Sequence, residues 1–421
     1  MSELNNIPKH WQVKRLGEIC KLKNGFAFKS TEYQKEGVPV IRISDINQGI
    51  VSGEDSIKVE SKDIYDNYLV ENNDILVAMS GATTGKFGIY KSTKKAYQNQ
   101  RVGKFKILDE KILDNQFLFH QINSLKRQIE KDAYGGAQHN ISSNKIEQME
   151  IVLPPLPEQL AIVSKIEELL SDLENGKQQL LTAQQQLKVY RQSLLKAAFE
   201  GRLTNKEVKE GKLPKGWKWL KIDSLLFDRK KGMSTGPFGT MLKKSEHQAN
   251  GIPVLGIENI GEGTFQMPNK IFITSEKAVE LRNFRVQEND IIISRSGTVG
   301  EICLLPKKME NSIISTNLIR VRLNQDIINP KFFVYLFQGG KVRQQVFELC
   351  KGSSRAFLNQ TILNSLDFPY CSLNEQQLVI DELESRLTVC DKIEETISQS
   401  LQQAESLRQS ILKKAFEGKL V

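Results

Sequence analysis

The chain carries two long stretches in which apolar or small residues recur at alternating steps of four and three. In the first they fall at Ile162, Ile166, Leu169, Leu173, Gly176, Leu180, Ala183, Leu187, Tyr190, Leu194 and Ala197. In the second they fall at Val379, Leu383, Leu387, Cys390, Ile393, Ile397, Leu401, Ala404, Leu407 and Ile411. That alternation is the heptad seam of a helix lying along another helix. Each stretch runs for roughly 40 residues, about 60 Å of helix at 1.5 Å per residue. A stripe that long needs a long partner, and the other stretch is the obvious one. Two long helices paired antiparallel are therefore expected.

The two stretches end almost identically. RQSLLKAAFEGRL (191–203) and RQSILKKAFEGKL (408–420) share ten of thirteen residues at a shift of 217. Gly201 and Gly418 stand where a left-handed residue closes a helix. Pro157 suits a first helical turn, and Ser372 with Glu375 has capping-box spacing.

Before each long helix the same short patterns appear in the same order. IPKHW (7–11) answers LPKGW (213–217), and the β-branched run GVPVIRISDI (37–46) answers GIPVLGIENI (251–260). NDILVAMSGATTG (73–85) answers NDIIISRSGTVG (289–300), each a strand running into a glycine-bearing turn. YQNQRVGKFKI (97–107) and ISTNLIRVRL (314–323) read as strands. A helical segment follows in each copy, then a glycine-bearing loop, YGGAQHNIS or KGSSRAFLN. The chain thus divides into a globule at 1–153, a helix at 154–206, a second globule at 207–372 and a second helix at 373–421. The fold class is mixed α+β or α/β, a tandem duplication with an implied pseudo-twofold axis. The amino terminus is expected near the carboxyl terminus, so circular permutation is expected to be tolerated.

At 39% apolar and 26% charged residues the composition is that of a soluble protein. No apolar run reaches the 18 or so residues a membrane helix needs, and MSELNNIPKHW lacks a signal-peptide core. A cytoplasmic location is expected. The five cysteines are scattered without CxxC spacing, which points to reduced core thiols and to no metal site. The net charge of +9 lies on the globules: +3 on 1–153 and +8 on 207–372, against +1 and −3 on the helices. A basic globular face suits a polyanion.

The doubled globule–helix order, the entries LPPLPEQ and SLNEQQ, the endings LKAAFEG and LKKAFEG, and the turns MSGATTG and SRSGTVG resemble the specificity subunits of Type I restriction–modification systems. The resemblance covers nearly the whole length. It implies that each globule is a target-recognition domain reading one half of a split DNA sequence. It implies that the helices set the unread spacer, that two methyltransferase (modification) subunits dock on them, and that restriction subunits join. It implies a chain that is no enzyme and holds no cofactor, with S-adenosylmethionine, ATP and Mg²⁺ on the partner subunits. A coiled-coil scaffold with protein-binding globules is the alternative.

The residues fit a non-catalytic chain. SGATTGK departs from the phosphate loop, because three residues and not four separate Gly81 from Gly85 and Phe87 follows the lysine. The one Pro-Pro pair, Pro154–Pro155, lacks the flanking residues of an adenine-methylating loop, and the histidines lack ligand spacing. Candidate DNA contacts are the turn residues Ser80, Thr83, Lys86, Arg295 and Thr298, with Gln100, Arg101 and Asn317 at matching strand starts. The loops offer Gln138, His139, Asn140, Ser353 and Arg355, since Asn and Gln can pair with adenine and Arg with guanine. The clusters Lys94–Lys95, Arg229–Lys230–Lys231 and Lys243–Lys244 suit phosphates. Trp11 and Trp217 read as core anchors. Leu195, Phe199, Leu412 and Phe416 read either as helix-end packing or as docking points for a partner.

Overall fold

The computed structural model of the chain describes residues 7–46, 49–133, 140–205, 207–208, 212–350 and 357–421. Two compact units divide it, one of Met1–Leu180 with Gln399–Val421 and one of Leu181–Ser398. The long helices are Leu156–Phe199 and Leu373–Phe416, each 44 residues, so each unit holds the start of one and the end of the other. The units cut across the linear blocks read from the sequence.

In the first unit a five-stranded sheet centres on Ile75–Ala78. That strand pairs antiparallel with Phe87–Tyr90 on one side (Ile75 opposite Ile89) and with Val102–Ile107 on the other (Ala78 opposite Val102). Every residue of Ile75–Ala78 is buried, which is why it reads as an unbroken apolar run rather than an alternating one. A four-stranded sheet contains Val38–Ile41 and Ala96–Gln98. The expected strand at 97–107 is therefore two strands, with Gln100 and Arg101 in the turn between them. Helix Asn115–Ala133 packs Phe117 into a core shared with Trp11, Ile162 and Ile166 from the start of one long helix and Leu412 and Phe416 from the end of the other. Phe117 and Phe416 meet edge to face at 5.6 Å.

The second unit repeats the plan. Ile291–Ser294 pairs antiparallel with Ile302–Leu304 and with Leu318–Val321, and Met233–Thr235 extends the sheet. A three-stranded sheet holds Ile252–Leu255. The single helix expected after the sheet is two, Pro330–Gln338 and Gly340–Cys350. The break has a packing reason: a Cβ on Gly339 would stand 2.7 Å from the Phe199 ring, so the glycine seats the helix end. Phe199 also meets Phe332 edge to face at 5.4 Å.

Within this unit the end of the first long helix lies antiparallel to the start of the second. Leu187 and Leu194 share a core with Val379, Leu383 and Cys390, and Arg191 reaches Asp391 at 2.6 Å and Glu394 at 3.0 Å. Most seam positions are buried or half-buried, but Gly176, Tyr190, Ile393 and Leu407 are exposed. Each helix entry is held by a buried glutamine, Gln159 or Gln376, both fully inaccessible. Ser372 Oγ accepts from the Glu375 N–H at 3.4 Å, yet the Glu375 carboxylate accepts from Thr204 (2.6 Å) and Asn205 (3.0 Å) and does not close a capping box. Trp11 is buried and Trp217 half-buried beside Phe332, both as anchors.

Candidate nucleic-acid interface

The two hairpin turns are built by one backbone scheme. In the first unit the Met79 N–H donates to the Arg101 carbonyl at 3.0 Å, and the Ile141 N–H donates to the Met79 carbonyl at 3.0 Å. In the second, Arg295 N–H donates to Asn317 O at 2.9 Å and Leu358 N–H to Arg295 O at 2.9 Å. Met79 and Arg295 are thus the same position in two copies. Each turn is closed by glycines in the left-handed region, Gly81 and Gly85 at φ 80° and 85°, Gly297 and Gly300 at 79° and 82°. Both turns end a buried strand, so side chains beyond it are fixed by a rigid base.

Around the first turn gather Ser80, Thr83, Lys86, Gln100, Arg101 and Asn140, the last bridged to Ser80. Gln100, Arg101 and Asn140 are exposed. Ser80 Oγ and Thr83 Oγ1 are buried without a hydrogen-bond partner among the described residues, which is unusual for hydroxyls. Around the second turn stand Arg295, Ser296, Thr298, Thr316 and Asn317. Ser296 Oγ donates to Asn317 Oδ1 at 2.8 Å, and Thr298 Oγ1 donates to Ser294 Oγ at 3.1 Å.

The copies differ most at the shared position. Met79 is buried in the apolar core of its unit. Arg295 lies among aromatic rings, with its guanidinium carbon 4.0 Å from the Phe357 ring centre and 5.3 Å from that of Phe238. Both rings are exposed. Burial pushes the Arg295 pKa below its ordinary value, although an arginine remains charged. Phe238 is brought close by Gly236, where a Cβ would stand 2.0 Å from the Ser315 carbonyl oxygen, and by a hydrogen bond from Thr316 Oγ1 to the Pro237 carbonyl.

The clusters at 94–95 and 229–231 do not join these turns. Lys94 and Lys95 follow strand Phe87–Tyr90, which starts at the turn and runs away from it, so they lie one strand length off, about 13 Å. Lys95 pairs with Glu71 at 3.2 Å. Arg229, Lys230 and Lys231 precede strand Met233–Thr235, whose Met233 faces Val321 at the far end of the sheet from Asn317. There Asp228 accepts the Lys230 and Lys231 backbone N–H groups, which holds its carboxyl below the usual range. Lys243 and Lys244 are exposed on the short turn before Ile252–Leu255, with the Lys243 N–H on Glu246. Gln138, His139, Ser353 and Arg355 lie outside the described residues.

Leu195, Phe199, Leu412 and Phe416 face inward, each buried in the core of its own unit. The exposed apolar residues of the same helices include Leu181, Val189, Tyr190, Val389 and Ile393. Among the described residues no group of acidic, histidine and cysteine side chains could hold a metal, and no helix is long and apolar enough to cross a membrane. Sequence reasoning missed Met79, Phe238 and Phe357. The aligned strands NDILVAM and NDIIISR carry the first signal. The aromatic pair has none, since it is assembled only by the fold.

Residues 8–183 and 236–403 match the family described as Type I restriction modification DNA specificity domain. The chain is 26% identical over 430 residues to the Type I restriction enzyme EcoBI specificity subunit of Escherichia coli, covering 99% of this chain and 88% of that protein. To the EcoKI specificity subunit of E. coli strain K12 it is 25% identical, covering 98% and 90%. Among solved structures, one of a type I restriction–modification assembly superposes with a TM-score of 0.75 at 19% identity, covering 98% of this chain and 99% of that one. The HsdS subunit from Thermoanaerobacter tengcongensis superposes with a TM-score of 0.63 at 19% identity over the whole of both chains. The fold is shared with both.

Proposed function

The chain belongs to the Type I restriction–modification DNA specificity family, and from that premise we propose that each globule reads one half of a bipartite duplex target. The observation that carries this is the repeated turn. One backbone frame holds unlike side chains, a core-buried Met79 against Arg295 and an exposed Arg101 against an exposed Asn317, as two readers of different sequences would. Exposed lysines and arginines on the same globules supply sequence-independent phosphate contacts, while the turn residues supply the choice of bases.

The long helices set the unread spacer between the half-sites. Two methyltransferase subunits dock on their exposed apolar residues, and restriction subunits complete the nuclease. The chain itself does no chemistry, and S-adenosylmethionine, ATP and Mg²⁺ belong to those partners. The setting is the cytoplasm, where the DNA is.

Selection from a random duplex pool, with the chain bound to its modification subunits, tests the reading. A split motif is expected, with affinity falling as a power of salt at a slope near −0.9 per phosphate neutralised. One contiguous motif, or none, would contradict it. One heptad added to each helix lengthens it by about 10.5 Å, roughly three base pairs, so both half-sites should persist at a changed separation.

A further inference from the structure

Arg295 is 6% exposed, yet no carboxylate lies within ion-pair distance of it among the described residues. In sequence, the residues before Phe357, KGSSRA (351–356), include no acidic one. Arg295 Nη1 donates to the Thr316 carbonyl at 3.2 Å, and its Nε is buried with no partner among the described residues. Two other arginines of this unit make more bonds. Arg322 grips Asp290 with Nε and Nη2, both at 2.7 Å. Arg320 gives Nη1 and Nη2 to the carbonyls of Arg285 and Lys231, both at 2.9 Å, although its Nε, like that of Arg295, has no partner among the described residues. A buried guanidinium without an anion is costly and is retained where a partner arrives to complete it.

The surroundings narrow what that partner is. Stacking on an aromatic ring fixes the plane of a guanidinium, and a fixed planar fork suits two parallel acceptors better than a single diffuse charge. The O6 and N7 atoms of guanine are such a pair. A phosphate asks for no such fixation, and this unit offers it exposed lysines such as Lys243 and Lys244. The rings flanking Arg295 are themselves exposed beside the turn.

We propose that Arg295, its fork oriented by Phe357 and Phe238, reads one guanine in the half-site of the second globule, and that Met79 gives the first globule no such reading. This rests on the globules being recognition domains. Selection and sequencing with the complete chain–modification complex tests it, comparing wild type with Arg295→Lys and Arg295→Met.

Wild type should show an invariant guanine in one half-site. Lysine keeps the charge without the fork, so preference at that one base pair should fall about 5- to 150-fold. The other half-site should be unchanged, which reports a folded complex. Methionine copies the first globule and should relax the same position without lowering the melting temperature. A uniform loss on all sequences, with a salt slope shallower by about one charge, would make Arg295 a phosphate contact and overturn the proposal. An unchanged motif would overturn it too, as would loss of the whole second half-site in a variant that melts like wild type. In each of those cases the bipartite reading still stands. Absence of a split motif in wild type would bring down both.

Discussion

Gln159 and Gln376, 217 positions apart, make the same three hydrogen bonds. Gln159 Oε1 accepts from the Asp114 N–H at 2.9 Å, and its Nε2 donates to the Ile112 and Pro154 carbonyls, both at 2.8 Å. Gln376 Oε1 accepts from the Asn329 N–H at 2.8 Å, and its Nε2 donates to the carbonyls of Ile327 at 3.0 Å and Cys371 at 2.9 Å. Each ties a long helix to the loop before the helix of its own globule. Replacing either with alanine leaves three backbone groups without their side-chain partner, one of them fully buried, and should cost about 3–5 kcal/mol, roughly 10 °C in melting temperature. Glutamate should not rescue, because a carboxylate cannot donate to two carbonyls. A Gln→Glu variant that melts like wild type would refute the role.

The helix ends close onto the globule starts in the same paired fashion. A Cβ on Gly418 would stand 2.4 Å from the Pro8 ring, and one on Gly201 would stand 2.2 Å from that of Pro214. Both glycines have positive φ, 68° and 72°. Alanine at either should destabilise its own unit by about 1–3 kcal/mol, measured by thermal unfolding. The Pro8 contact also means that joining residue 421 to residue 1 and opening the chain in the linker 204–212 should give a permuted protein that folds and selects the same DNA.

His120 sets an acid limit. It is buried with neither ring nitrogen hydrogen-bonded among the described residues. Burial, reinforced by the nearby Arg408 charge, lowers its pKa from 6.5 to about 4. Above pH 6.5 the ring is neutral whether the chain is folded or not. Between 6.5 and 4 only the unfolded state takes up the proton, so stability falls as the pH drops, by about 3 kcal/mol in all. His120→Phe should remove this part of the pH dependence of the melting temperature. An unchanged profile would show that His120 protonates as readily in the folded protein.

Val189 and Val389 are 70% and 56% exposed on the long helices. Glutamate at either should change stability by less than about 0.5 kcal/mol. Binding of the modification subunit, followed by calorimetry, should weaken at least tenfold if that surface is the docking face. Unchanged binding would move the docking face elsewhere.

How much was legible in advance follows from physical range. The long helices were, because a heptad stripe is a local periodic signal and both copies repeat it. The strands at 75–78 and 291–294 were, because burial on both faces leaves unbroken apolar runs. The break at Gly339 was not, since its reason is the ring of Phe199, 140 positions away. Basic clusters were visible as charge runs, but strand direction alone decides that Arg229–Lys231 lie at the opposite end of the sheet from Arg295. Arg295 was visible as a residue. Its flanking by Phe238 and Phe357, from 57 positions before and 62 after, was not.

The most direct measurement of the central claim is the pattern of modified bases across a genome, compared between cells that contain this chain with its modification subunits and cells lacking only the chain. Two short, unlike sequences at one fixed separation should be methylated only when the chain is present. Methylation at a single uninterrupted sequence, or a pattern indifferent to the chain, would contradict it.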